Sequence, residues 1–397
     1  MTHTNEGPAG LPAARLNWAL WALFAGNFII GTGILLPAGM LNDLSAGLGV
    51  SPATAGLLML ASGIVIGLGA PFFATFTSGI DRRVLLVGSL IFYAAGHALS
   101  ALAPDFWSLL ALRAITVISA GIFTPQAAAS VGLIVPPEKR AGAVAFIFIG
   151  WSIASVAGMP CGSLIAAFIG WRFAYAIMAL LALAAGIIVW RTMPSGLHVG
   201  KLSLAAWRDV FFDPVLILIL LVTLASSSGQ FTAFSYMAPL FKDLLGASPA
   251  LIAGLLAGFG AAGVLGNFIA ARFVARIGID RMILLALGAL LIGMIVFSAT
   301  LGLLAGAAVA MAIWGLGTFS SNSLQQSRLI AHAPALASAS VALNTSTIYL
   351  GQAIGAGVGA KIVAEHLLAW LTPVGSLFAA LAIVFTLIAS RFDRRRG

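Results

Sequence analysis

Gly49-Val50-Ser51-Pro52-Ala53 returns 197 residues later as Gly246-Ala247-Ser248-Pro249-Ala250, and Gly79-Ile80-Asp81-Arg82 returns unchanged 199 residues later as Gly278-Ile279-Asp280-Arg281. Between them, Gly56-Leu57-Leu58 answers Gly254-Leu255-Leu256. Three matches in one order and almost one register mark a chain made of two halves of roughly 200 residues. Both halves are mostly apolar, and a parallel duplication in a membrane protein implies two helical bundles with a substrate site between them.

Working outward, the 397 residues are 61% hydrophobic and 8% charged, with a mean hydropathy of +1.09. A soluble chain of this size would lack the polar residues to cover its surface. A membrane helix needs about 20 mainly apolar residues. Such windows predict twelve spans, at 16–40, 50–76, 84–103, 107–133, 141–168, 172–191, 214–238, 249–272, 282–300, 303–327, 335–361 and 367–390. The predicted fold is all-α and integral to the membrane, in two pseudo-symmetric six-helix bundles. Its parts are a tail (1–15), the first bundle (16–191), a linker (192–213), the second bundle (214–390) and a basic tail (391–397).

The net charge of +9 is a topology signal rather than a sign of nucleic-acid binding. With both termini cytoplasmic, sixteen of the twenty Lys and Arg residues fall on the cytoplasmic side, from Arg15, Arg82 and Arg83 through Arg281 to Arg396. Only Arg172, Lys242 and Lys361 fall opposite, and Arg113 lies within a span. This bias is the positive-inside rule, and it predicts a multi-pass protein of the bacterial-type inner membrane. Residues 1–15 hold no signal-peptide core, and the single Cys161 excludes an intramolecular disulfide. No phosphate-cradling loop, metal-ligand cluster or nucleophile–base set is present in the sequence. The expected protein therefore has no cofactor or metal, is not an enzyme and is not driven by ATP. Its partners are the bilayer, a small-molecule substrate and protons, and a monomer suffices.

In the fifth span Gly142, Gly150, Gly158 and Gly162 share one helix face, as do Gly351, Gly355 and Gly359 in the eleventh. Small residues let backbones approach closely in lipid. The stripe is either static packing or a smooth contact along which the bundles rock. Pro160 removes a backbone donor and is expected to bend the fifth helix.

The string Gly158-Met159-Pro160-Cys161-Gly162 resembles the fifth-helix motif of the drug-proton antiporter branch of the major facilitator superfamily. Gly170-Trp171-Arg172, Arg113 in the fourth span and Pro136-Pro137-Glu138-Lys139-Arg140 resemble further signatures of that family. Thr232-Ala233-Phe234-Ser235-Tyr236 and Ala342-Leu343-Asn344 resemble its arabinose-type sugar and purine-nucleoside efflux permeases. The family carries an aspartate ahead of its arginine pair between helices two and three. Phe76 to Ser78 offer no acid here, so Asp81, Arg82, Arg83, Asp280 and Arg281 are the candidates for a replacement gate latch. A second departure is Ile34, where relatives often place a glutamate after the string Gly31-Thr32-Gly33.

Proton coupling needs a titrating group, and all eleven acidic residues fall in loops, tails or span edges. The coupling candidates are His97 in the third span, since histidine as a residue type titrates in the useful range, with a packed core histidine as the alternative, and Asp43 beyond the first. Arg113 stays charged and costs roughly 2.5–3.5 kcal/mol to insert at a helix centre. It either serves substrate and gate or braces helix four. The resemblance implies a cavity lined by helices one, four, seven and ten and their neighbours. The polar and aromatic candidates there are Asn27, Thr32, Arg113, Gln126, Gln230, Phe234, Tyr236, Trp314, Asn322, Gln325 and Gln326, with Asn344 and Gln352 from helix eleven. Each could equally bond a neighbouring helix; as a set they suit a neutral or amphipathic substrate. The leading reading is proton-coupled efflux of a sugar, nucleoside or drug by alternating access. An uncoupled facilitator is its rival, and a non-transporting sensor or scaffold comes third.

Overall fold

The computed structural model of the chain describes residues 12–77, 79–198, 204–333 and 336–393, and every regular element among them is helical. Glu6 and the rest of the tail to residue 11, Lys201 with 199–203, and Arg394, Arg395 and Arg396 lie outside the described residues.

The repeated pentapeptide is a stop-and-start signal. Gly49 (φ +65°) ends a short helix, Leu41–Leu48, and Gly246 (φ +58°) ends its counterpart, Met237–Leu245. A left-handed residue at this place suits glycine, because no Cβ meets the following carbonyl. Two residues on, Ser51 Oγ accepts from Thr54 N (3.1 Å) and Ser248 Oγ accepts from Leu251 N (3.3 Å). Pro52 and Pro249 then occupy the first helical turn, where a missing N–H costs nothing. Neither short helix is apolar enough to be visible as a span.

Twelve helices have the length and apolarity to cross a membrane. Spans 1 to 6 are Ala14–Gly39, Pro52–Phe73, Arg82–Ala101, Phe106–Ile134, Gly142–Phe168 and Trp171–Thr192. Spans 7 to 12 are Pro214–Phe234, Pro249–Ile277, Ile279–Ala299, Leu304–His332, Ala339–Ala364 and Leu368–Phe392. The largest departures from the predicted boundaries have local causes. Span 7 stops at Phe234 rather than 238 because Tyr236 N turns back to Ala233 O (2.9 Å). Spans 8 and 10 run on to Ile277 and His332, beyond the apolar windows, as basic or polar helix ends.

The chain divides into two compact units, Met1–Leu36 with Pro71–Lys201 and Pro37–Ala70 with Leu202–Gly397. In the first, span 5 lies against span 1. A Cβ on Gly150 would meet the backbone of Phe24 and Phe28, one on Gly158 would meet Thr32, and one on Gly162 would meet Leu36. Gly142 faces open space, so the contact begins at Gly150. In the second unit Gly351, Gly355 and Gly359 do the same against Leu224, Ser228 and Thr232 of span 7. The glycine stripes thus pack within their own units. A π turn over Ala154–Gly158 precedes Pro160, a helical adjustment to its missing donor.

Large apolar side chains such as Phe92, Leu180, Phe268 and Leu377 point outward, while serine, threonine and amide side chains such as Thr223, Ser226 and Gln325 are buried among the apolar core. That is the polarity expected of a protein whose solvent is lipid.

Candidate functional site

In the first unit the polar interior is organised around a broken helix ladder. Pro37 has no N–H, so the Gly33 carbonyl, four residues earlier, loses its helical donor. Arg113 from span 4 supplies one: Nη1 donates to Gly33 O (2.7 Å) and Nη2 to Ile34 O (3.0 Å). Tyr93 from span 3 donates its hydroxyl to Ile30 O one turn away (3.2 Å). Gly33 is what makes room, since a Cβ there would strike the Tyr93 hydroxyl and the His97 ring. The Arg113 bonds tie span 4 to span 1 at the break in its ladder.

His97 meets Tyr93 edge-on at 4.3 Å and stacks with Tyr175 at 5.5 Å. Both its ring nitrogens and the Tyr175 hydroxyl are buried with no hydrogen-bond partner among the described residues. The same holds for both amide atoms of Asn27 and for Thr32 Oγ1 on span 1. Gln126 differs: Arg82, fully buried, donates to its Oε1 and also to Thr77 O (2.7 Å) and Ile80 O (2.9 Å). Asp81 caps span 3 through Val84 N (3.1 Å) and accepts the amides of Gly196 and Leu197 in the linker. Burial pushes its carboxyl up, but these amides outweigh that and hold it below the usual carboxylate range. Arg83 lies over the Trp190 ring instead.

In the second unit Thr223 donates to Asn344 Oδ1 (2.7 Å), leaving Asn344 Nδ2 buried without a partner. The Trp314 indole N–H and both amide atoms of Gln325 are also buried and unpartnered. Trp314 packs edge-on to Phe259 (5.4 Å), which leans on Phe234 (5.2 Å). Gln230 is buried, while Asn322 and Gln326 are partly exposed. Tyr236 donates to Ala356 O (2.9 Å) and Gln352 donates to Met59 O (3.0 Å), so both are occupied in packing. Asp280 pairs with Arg328 (3.2 Å) and Arg281 is exposed. Asp43, on the short helix Leu41–Leu48, is half-buried; desolvation pushes its carboxyl up, against a backbone hydrogen bond and Lys242.

A buried polar group without a partner costs about 1–3 kcal/mol. Apart from guanidinium nitrogens, the unpartnered set is made of amides, hydroxyls, an imidazole and an indole. Such groups bind by hydrogen bonding and stacking and do not neutralise a charge. No group of metal-ligating side chains occurs among the described residues. Tyr175 and Phe259 were missed from sequence. Tyr175 follows Gly170-Trp171-Arg172 and could have been flagged as a polar aromatic inside a span; Phe259 is one of 25 phenylalanines and carries no signal.

Residues 23–356 match the family model described as Major Facilitator Superfamily. The chain is 28% identical over 382 residues to the inner membrane transport protein YdhP of Escherichia coli K12, covering 95% of this chain and 97% of the other. It is 27% identical over 369 residues to a probable sugar efflux transporter of Pasteurella multocida, covering 91% and 89%. Among solved structures it resembles a bacterial homologue of the human lysosomal transporter Spinster, in an inward-facing and unoccupied conformation (TM-score 0.73, 18% identity, 97% and 99% covered). It also resembles a peptide transporter (TM-score 0.75, 14% identity, 95% and 94% covered).

Proposed function

The chain belongs to the Major Facilitator Superfamily, a family of membrane transporters, and from that premise we propose that it exports a small neutral polar compound of the sugar class, driven by protons. The observation that carries the substrate class is that the candidate cavity residues left buried and unpartnered are uncharged: Asn27 and Thr32 in one unit and Trp314, Gln325 and Asn344 in the other. A polyhydroxyl compound offers donors and acceptors to amides and an apolar face to rings. The sugar efflux transporters among its relatives support the same class. Transport proceeds by alternating access of the two halves, 16–191 and 214–390, joined by the linker 192–213. Both termini face the cytoplasm of an inner membrane, and a monomer is the working unit. Asp43 and His97 are the proton-carrying candidates.

Uncoupled facilitation is the second reading, favoured by one observation. No acidic side chain lies deeper in a span than Asp280, the second residue of span 9. Reconstituted vesicles separate the two. Labelled sugar should exchange by counterflow, and Asn27→Ala with Gln325→Ala should slow the exchange more than tenfold, the effect of about 1.4 kcal/mol or more. Exchange untouched by that pair overturns the substrate assignment. Accumulation under an imposed pH gradient, abolished by a protonophore, supports coupling; exchange indifferent to the gradient leaves the facilitator.

A further inference from the structure

Span 6 carries a stacked arginine at each end, and the two stacks differ. At one end Arg172 lies over Trp171 (4.1 Å) and its Nη2 donates to Ala103 O (2.9 Å), so its fork has a protein acceptor. At the other end Arg83, from the start of span 3, lies over Trp190 (4.4 Å). Its Nε is buried with no hydrogen-bond partner, and Arg83 takes no part in an ion pair among the described residues. Asp81, two residues away, is occupied by the amides of Val84, Gly196 and Leu197. Arg191, beside Trp190, is exposed and has no ion-pair partner among the described residues.

The surface leading to this point is apolar. Val84, Ile91, Ile187 and Ile188 of spans 3 and 6 are exposed, each above 40%. Their face ends at Trp190, 49% exposed, beside the two cations. An acyl chain lying along such a face places its headgroup where tryptophan rings and long basic side chains gather at an interface. We propose that Arg83, Trp190 and Arg191 form a seat for the phosphate of an anionic phospholipid, with the spans 3 and 6 face taking its chains. Arg83 is held over the Trp190 ring, and its remaining guanidinium donors are the ones that would take a phosphate oxygen. Arg191 adds the second charge, and this is the end at which the sequence gathers its basic residues.

The experiment uses the full chain, purified in detergent, stripped of lipid and titrated with phosphatidylglycerol or phosphatidylcholine, with bound lipid counted by native mass spectrometry. Phosphatidylglycerol should be retained in preference. At about 1 kcal/mol per interfacial cation, Arg83→Gln should weaken its retention about fivefold and the double change with Arg191→Gln about 25-fold. Arg172→Gln should leave it unchanged. Trp190→Leu keeps both charges and should lower retention by releasing Arg83, and Arg83→Lys should retain more lipid than Arg83→Gln. Equal retention of the two lipids, an equal loss in Arg172→Gln, or competition by millimolar inorganic phosphate as effective as by the lipid would each overturn the proposal.

Discussion

The same four letters, Gly-Ile-Asp-Arg, do opposite things in the two halves. At 79–82 the aspartate caps a helix and holds linker amides, while the arginine is fully buried and reaches Gln126. At 278–281 the aspartate pairs with Arg328 of span 10, and the arginine faces outward. Gly278, at φ +89°, turns the chain so that Asp280 enters the helix rather than capping it. The buried cation has moved from the start of span 3 to the end of span 10. The glutamine 199 residues after Gln126 is Gln325 (126 + 199), and it is left with both amide atoms buried and unpartnered. A buried arginine holds the first of these two glutamines, while the second keeps both amide atoms unpartnered and is the one proposed above for substrate.

That comparison breaks most easily at Arg82. Arg82→Ala strands two carbonyls and the Gln126 amide and should cost about 3 kcal/mol in reversible unfolding. Arg281→Ala should leave the midpoint unmoved, and equal losses would mean the halves have not diverged. Asp280→Asn should cost about 2 kcal/mol, a value discounted because Asp280 is a quarter exposed while Arg328 is buried.

Two further tests sharpen the comparison. Gln325→Leu removes unpartnered atoms and should leave stability within about 1 kcal/mol while cutting counterflow at least tenfold. Gln126→Leu should destabilise by about 2 kcal/mol by stripping a buried cation of an acceptor. At Arg113 a double-mutant cycle with Pro37→Ala is informative, because the alanine restores the N–H that Gly33 O lacks. Arg113→Gln should then cost about 1 kcal/mol less than in the native background. The smallest effect is at Asp81. Its depressed carboxyl stabilises the fold above the ordinary aspartate range, and that contribution is lost as pH falls through the folded-state value. Asp81→Asn should flatten this acid limb by lowering stability above the ordinary aspartate range and leaving it unchanged below the folded-state value.

The fold was legible because its signals are periodic or repeated. Twelve apolar windows and a duplicated cap-proline string reveal the spans and the repeated helix starts without knowledge of any contact. The site was legible only as a list of polar residues inside spans. Sequence could not say that Tyr236 and Gln352 are consumed by backbone carbonyls while Gln325 is not, since that depends on neighbours from distant spans. Arg113 shows the limit best. Its cost in lipid was plain, but its partner was a carbonyl freed by Pro37, 76 positions earlier (113 − 37). The π turn before Pro160 was half legible: the missing donor could be read, but not the helical form that absorbs it.

Span 6 has one more consequence. Trp171 and Trp190 stand 19 residues apart (190 − 171), a rise of about 28 Å at 1.5 Å per residue. A bilayer's hydrocarbon layer is about 30 Å thick. An arginine lies over each ring, so the helix carries two marks set close to that thickness apart. Membranes thinner or thicker than it must deform or tilt the helix, at a fraction of a kcal/mol per Å, so acyl-chain length should tune this protein's stability even when lipid charge is held constant.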